Sequence, residues 1–108
     1  MLHRLLFGLF LLFSLTIMAQ TSQLETALFQ LPDVIFKSID TPPGYTSAFE
    51  LQIKQPLDHE HPEKGYFYQR AYLSHRGFDR PTVICTEGYD RSRHRNYELN
   101  DLVEGNQI

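Results

Sequence analysis

The chain has 108 residues, with ten Lys+Arg against thirteen Asp+Glu and a formal net charge of −3. That balance excludes the basic face a nucleic-acid partner requires, so none is expected. A single cysteine, Cys85, excludes an internal disulfide and with it a disulfide-stapled scaffold.

The chain opens as a secretory signal. Met1-Leu2-His3-Arg4 is a short basic start, and Leu5 to Met18 is apolar apart from Gly8, Ser14 and Thr16. A membrane span needs about 20 apolar residues, so this run suits a signal h-region better. Ala19 supplies the small residue before the cut, although Ile17, two residues earlier, is larger than that position prefers. The alternative is an uncleaved anchor. Cleavage predicts an exported, periplasmic or extracellular product beginning at Gln20, with no membrane anchor left. Without Arg4, nine Lys+Arg remain against thirteen acids, a formal charge of −4.

Thr21 to Leu31 carries Leu24, Leu28 and Leu31 at helical spacing, with Ala27 and Phe29 beside them. Ser22 and Glu25 form a capping-box pattern, and Pro32-Asp33 stops the helix. Val34 to Ile39 reads as a short extended piece. Thr41-Pro42-Pro43-Gly44 reads as a turn, because neither proline can donate to a ladder.

Ser47 to Gln55 alternates, with Phe49, Leu51 and Ile53 on one face and Ala48, Glu50, Gln52 and Lys54 on the other. Such period-two spacing predicts a strand with one buried face. Tyr66 to His75 alternates likewise, with Phe67, Gln69, Ala71 and Leu73 opposed to Tyr66, Tyr68, Arg70 and Tyr72. The polar stretch from Pro56 to Gly65 joins the two runs, which predicts an antiparallel hairpin.

After the turn Arg76 to Pro81, Thr82-Val83-Ile84-Cys85-Thr86 is a continuous apolar run. It predicts a strand covered on both faces, with Cys85 a buried small hydrophobe. Tyr97 to Glu104 places Leu99, Leu102 and Val103 at helical spacing, Gly105 is the expected C-cap, and Asn106-Gln107-Ile108 opens a further strand. A buried strand followed by a crossover helix implies a parallel pair. The expected fold class is therefore α/β, antiparallel at one edge and then parallel. Eight Phe and six Tyr need a partner surface, and nothing resembles a closing element, so the domain is expected to be incomplete.

Three stretches carry a family resemblance. They are Leu51-Gln52-Ile53-Lys54-Gln55-Pro56-Leu57-Asp58-His59, then Phe67-Tyr68-Gln69-Arg70-Ala71-Tyr72, then Pro81 to Tyr89, where the strand ends in Glu87-Gly88. Together they resemble the N-terminal part of a serine peptidase clan that includes prolyl carboxypeptidase and related dipeptidyl peptidases. Within it the likeness is nearest to the secreted bacterial tripeptidyl aminopeptidases, serine peptidase family thirty-seven. It covers about Phe49 to Ile108.

The resemblance implies an α/β-hydrolase fold with a Ser-Asp-His triad and a helical cap, and a peptide substrate cut at its free N-terminus. It implies no cofactor and no metal. The expected organisation is a signal peptide over 1–19, an N-terminal helix and linker over 20–46, and the first strands and crossover helix over 47–108. No glycine flanks a serine as a G-x-S-x-G elbow would require, so no catalytic residue is assigned and the triad is expected beyond Ile108, in a missing C-terminal part of the same domain. One oxyanion N–H in this fold comes from the loop after the third strand. That loop holds Glu87, Gly88 and Tyr89, the candidate substrate-binding residues. Gly88 permits close backbone approach. By resemblance to the dipeptidyl peptidases, Glu87 pairs with the substrate ammonium. The alternative is an ordinary solvated turn.

Other residues invite a function. Asp58-His59-Glu60-His61 suggests a metal, but Pro56 and Pro62 bracket a loop and no partner follows at zinc spacing. A polar hairpin loop with Asp58 bonding local backbone is the better reading. Arg91-Ser92-Arg93-His94-Arg95 reads as a solvated face or ion-pair partner rather than a phosphate grip. Tyr66, Tyr68 and Tyr72 are expected to pack beneath a helix or loop of the missing part of the domain rather than to stack on sugars. The competing functional classes are a small exported β-rich binding module, with no catalysis, and an inactive relative of the enzymes.

Overall fold

The computed structural model describes residues 23–86 and 94–108. The signal segment Met1 to Ala19, Ser22 of the capping box, the loop Glu87 to Asp90 and Arg91-Ser92-Arg93 lie outside the described residues.

The first helix, α1, runs over residues 23–30. Strands β1 (Val34–Ser38), β2 (Ser47–Pro56) and β3 (Tyr66–His75) follow. Then come the short β4 (Thr82–Val83), α2 (Glu98–Val103) and β5 (Asn106–Gln107). They form a mixed five-stranded sheet in the order β1-β2-β3-β5-β4. β1–β2, β2–β3 and β3–β5 are antiparallel, and β4–β5 is parallel. The class is α/β.

The hairpin matches its sequence reading closely. Phe49 pairs with Leu73 and Leu51 with Ala71, so the apolar members of both strands share one face. The connecting loop closes where the Leu57 N–H donates to the Gly65 carbonyl at 3.0 Å, over a single 3₁₀ turn at Pro62–Lys64. The extended piece at Val34 joins the sheet as a third antiparallel strand, with Val34 opposite Ile53.

The turn at Pro42-Pro43 uses Gly44 at φ 85°, a left-handed conformation that costs glycine little. Asp33 ends the α1 connection at φ 61°, and its carbonyl accepts from the Lys54 N–H at 2.8 Å.

The core lies between this face and α1. Leu24 and Leu28 pack on Phe49 and Leu51, with Phe36, Ile53, Ala71, Leu73 and Ile108 around them. Phe36 meets Phe49 edge to face, ring centroids 5.8 Å apart. Burial of side chains this size contributes roughly 1.5–3 kcal/mol each. Leu31 departs from the expected helical face and is half exposed, because the helix stops one residue earlier and Pro32-Asp33 turns the chain away.

The second half corrects several expectations. The run Thr82 to Thr86 is not covered on both faces: β4 ends the strand order, and Ile84 is 73% exposed. On its one paired side, Asn106 N–H donates to Pro81 O at 2.7 Å, Ile108 N–H to Val83 O at 3.0 Å and Cys85 N–H to Ile108 O at 2.8 Å. Among the described residues, none covers the second face of this apolar run. Cys85 is accordingly half-buried, not buried.

Helix α2 forms where the spacing of Leu99, Leu102 and Val103 predicts it, but these apolar residues do not face the described sheet. Its leucines are outside, Leu102 most of all, and its buried residue is Asn100. The surface it meets is a set of amides, so the polar residue faces inward. The left-handed C-terminal residue is Glu104, at φ 48°, rather than Gly105. Gly105 is required for closeness instead, since a Cβ there would sit 2.8 Å from the Pro81 carbonyl oxygen.

Among the described residues no helix is long and apolar enough to cross a membrane.

Candidate functional site

The chain leaves β4 at its carboxyl end, passes through residues 84–97 and enters α2. Loops at the carboxyl ends of parallel strands are where ligands bind in open α/β sheets. Glu87, Gly88 and Tyr89, the residues sequence reasoning selected, belong to this loop but lie outside the described residues. What the structure describes are its two legs. The outgoing leg is held by the Cys85–Ile108 backbone bond. The returning leg, 94–97, is held by side chains from the sheet.

Those side chains come from the face opposite α1. Ser74 on β3 stands opposite Gln107 on β5, so the two share a face, and Tyr72 is two residues along from Ser74. Ser74 and Gln107 are fully buried and Tyr72 is nearly so. Ser74 Oγ and His94 Nε2 are hydrogen-bonded at 2.7 Å. The Tyr72 ring lies against the His94 imidazole, centroids 5.6 Å apart.

Gln107 binds backbone: its Nε2 donates to the Arg95 carbonyl at 2.6 Å, and its Oε1 accepts from the Tyr97 N–H at 3.1 Å. Because a carbonyl only accepts and an N–H only donates, these two contacts fix which way the Gln107 amide points. Asn100 Nδ2 then donates to the same Oε1, and approaches Cys85 Sγ at 4.0 Å.

A serine bonded to a histidine invites comparison with an activated nucleophile. Ser74 has no exposure at all, so no substrate carbonyl reaches its Oγ. The pair ties the loop down rather than attacking anything.

On the other side of β5, Asn106 serves the loop that precedes β4. Its Oδ1 accepts from the Arg76 and Gly77 N–H groups at 2.6 and 3.2 Å, and its Nδ2 donates to Gly77 O at 2.9 Å and to Arg80 O at 3.3 Å. Arg76 adds bonds to Gly105 O at 3.0 Å and to Asp101 Oδ1 at 2.7 Å, and lies over the Tyr45 ring at 4.3 Å. Beside it, burial pushes the His75 imidazole below its ordinary pKa, and its ring packs against Phe78 with centroids 4.9 Å apart.

The Asp58 loop is structural. Asp58 Oδ2 accepts from Lys64 Nζ at 2.8 Å and Oδ1 from the Glu60 N–H at 3.0 Å. The bond to Lys64 first, and then that to Glu60, holds this carboxyl below the usual range. Both oxygens are thus taken by the loop itself. Among the described residues no group of three or more His, Cys, Asp and Glu could hold a metal ion.

The tyrosine stripe is divided. Tyr66 and Tyr68 stay exposed, with Lys54 over Tyr66 at 4.3 Å, while Tyr72 lies beneath His94. It does pack under a loop, but under one of this same chain. In the basic cluster, Arg95 is engaged through its carbonyl.

The family model of PS-10 peptidase S37 matches residues 20–108. The chain belongs to the S37 peptidase family. Its sequence is 34% identical over 94 residues to a prolyl tri/tetrapeptidyl aminopeptidase of Streptomyces mobaraensis. That alignment covers 86% of this chain but 20% of the relative, so the chain spans about one fifth of the length of the S37-type enzyme it matches. No solved structure gives a significant match.

For this S37 chain, sequence reasoning missed Gln107, Asn106, Asn100 and the Ser74–His94 pair. The one available signal was Asn106-Gln107 preceding Ile108, two amides side by side where a further strand was expected to begin.

Proposed function

We propose that this chain is the N-terminal portion of an exported serine exopeptidase of the tripeptidyl aminopeptidase type, built on an α/β-hydrolase fold. The observation that carries the reading is the likeness to a prolyl tri/tetrapeptidyl aminopeptidase across nearly the whole chain. The sheet supports it, because three antiparallel strands lead into a parallel pair and a crossover helix, as α/β-hydrolase sheets begin.

In this proposal the nucleophile, acid and base lie beyond Ile108. A serine hydroxyl attacks the scissile carbonyl while a histidine takes its proton, and backbone N–H groups receive the oxyanion. The loop after β4 supplies recognition. Gly88 lets main chain approach the substrate, and the Glu87 carboxylate pairs with the free α-ammonium. Such pairing makes the enzyme an exopeptidase, since an acylated N-terminus offers no cation.

The test uses the native gene product and a tripeptide p-nitroanilide, with and without an N-acetyl group. Release from the free tripeptide alone is the expected result; equal release from both would remove the ammonium contact. Glu87→Gln is expected to lower kcat/KM about tenfold or more, the value of a charge-assisted hydrogen bond. A downstream reading frame without G-x-S-x-G would overturn the triad placement. Export is tested by the N-terminal sequence of the secreted product, expected to begin at Gln20.

A further inference from the structure

We infer that Gln107 is a positioning residue for the loop after β4, and that adjacent Asn106 is the counterpart for the loop before it. Two neighbouring residues of a strand point to opposite sheet faces. Here each ends in a primary amide, each is buried, and each bonds main chain rather than another strand. Gln107 takes Arg95 O and Tyr97 N–H. Asn106 takes the main chain of Arg76, Gly77 and Arg80. Among the described residues the two side chains serve different loops: that of Gln107 bonds the main chain of 94–97, and that of Asn106 bonds the main chain of 76–80.

An amide suits this task because it presents a donor and an acceptor together, matching the C=O and N–H of one stretch of backbone. A hydrophobic residue of equal size would remove the donor and the acceptor that Gln107 gives those groups, at a desolvation cost. Asn100 reinforces one side only, donating to the Gln107 oxygen from α2. Ser74 and Tyr72 add the His94 side chain to the same anchor. Residues 94–97 are therefore held by side chains of β3 and β5, and α2 braces Gln107 through Asn100. If the loop after β4 recognises substrate, as proposed above, Gln107 sets its return path, and that consequence rests on the peptidase reading.

The experiment compares Gln107→Leu with Asn106→Leu in the native full-length protein. Gln107→Met and Asn106→Ala serve as milder partners, because each removes the amide without bringing a charge or a branched side chain into a buried site. Two readouts are followed: amide hydrogen exchange of peptides spanning 94–97 and 76–81, and KM against kcat for a tripeptide p-nitroanilide. Gln107→Leu is expected to speed exchange over 94–97 by about tenfold, the factor carried by one lost neutral hydrogen bond, and to leave 76–81 unchanged. KM rises by a similar factor of about ten while kcat stays within about twofold, because positioning of a binding loop acts on affinity. Asn106→Leu reverses the exchange pattern and leaves KM alone.

Equal loosening of both loops by either variant would overturn the clamp, as would unchanged exchange over 94–97. Faster exchange without a change in KM would overturn the positioning role. If the wild-type protein releases no peptide while the exchange contrast holds, the peptidase reading falls and the clamp stands.

Discussion

The two halves of this molecule are held together by different chemistry. In the first, α1 and strands β1 to β3 bury Leu24, Leu28, Phe49 and Leu51 in one apolar cluster. In the second, the fully buried side chains are Asn100 and Gln107, with Asn106 close behind, and the leucines of α2 face outward. The first half is glued by area, which is tolerant of detail and roughly additive. The second is pinned by directional bonds to named backbone atoms, each of which fails as a unit when one partner is lost. Loops that must be held in one place are thus served by amides, and the sheet that carries them by hydrocarbon.

The comparison can be broken at either end. Phe49→Ala is expected to cost about 3–5 kcal/mol, the range for truncating a fully buried ring, read from denaturant midpoints of the purified protein. A loss under about 1 kcal/mol would mean that the apolar half does not carry the fold. Gln107→Leu is expected to cost about 1–3 kcal/mol despite its greater hydrophobicity, since Arg95 O and Tyr97 N–H lose their partner. A neutral or stabilising result would place the second half under the same rules as the first.

Smaller effects sharpen the contrast at the β4–β5 seam. Gly105→Ala forces a Cβ to within 2.8 Å of the Pro81 carbonyl oxygen, a backbone atom that cannot turn aside. The expected loss is about 1–2 kcal/mol, by differential scanning calorimetry. Glu104→Gly relieves the left-handed residue at φ 48° and gives up an exposed ion pair with Arg80. Because such pairs contribute little, a net gain of about 0.5–1 kcal/mol is expected in the same measurement.

The pH dependence of His75 is the smallest of these effects. Its folded pKa is lowered by burial, so the folded state binds fewer protons than the unfolded one. The stability it permits is complete above the unfolded value, about 6.5, and declines as pH falls from there toward the folded pKa. His75→Phe is expected to flatten that part of the stability–pH curve. A slope identical in the variant would assign the acid sensitivity to other groups.

Much of the first half could be read without coordinates. Alternation at Phe49, Leu51 and Ile53 named the buried face of β2, and the boundaries of β3 matched the run from Tyr66 to His75. Leu24 and Leu28 were legible as a helical stripe. The Asp58 loop was legible as a local hydrogen-bonding loop, because its partners lie within six residues. The second half misled for an equally physical reason. Leu99, Leu102 and Val103 have the spacing of a buried helical face, but that face is the one α2 turns away from the amides of β5.

Sequence alone therefore determined the antiparallel strands, the turn residues, the α/β class and the S37 family, because each is written in local period, in turn chemistry or in a short motif. Tertiary structure decided that β5 enters between β3 and β4, that Asn100 rather than a leucine faces inward, and that Asn106 and Gln107 divide two loops between them. Hydropathy records how much a side chain favours water. It carries no record of a distant carbonyl waiting for a donor, so a buried glutamine reads like an exposed one until the chain has folded around it.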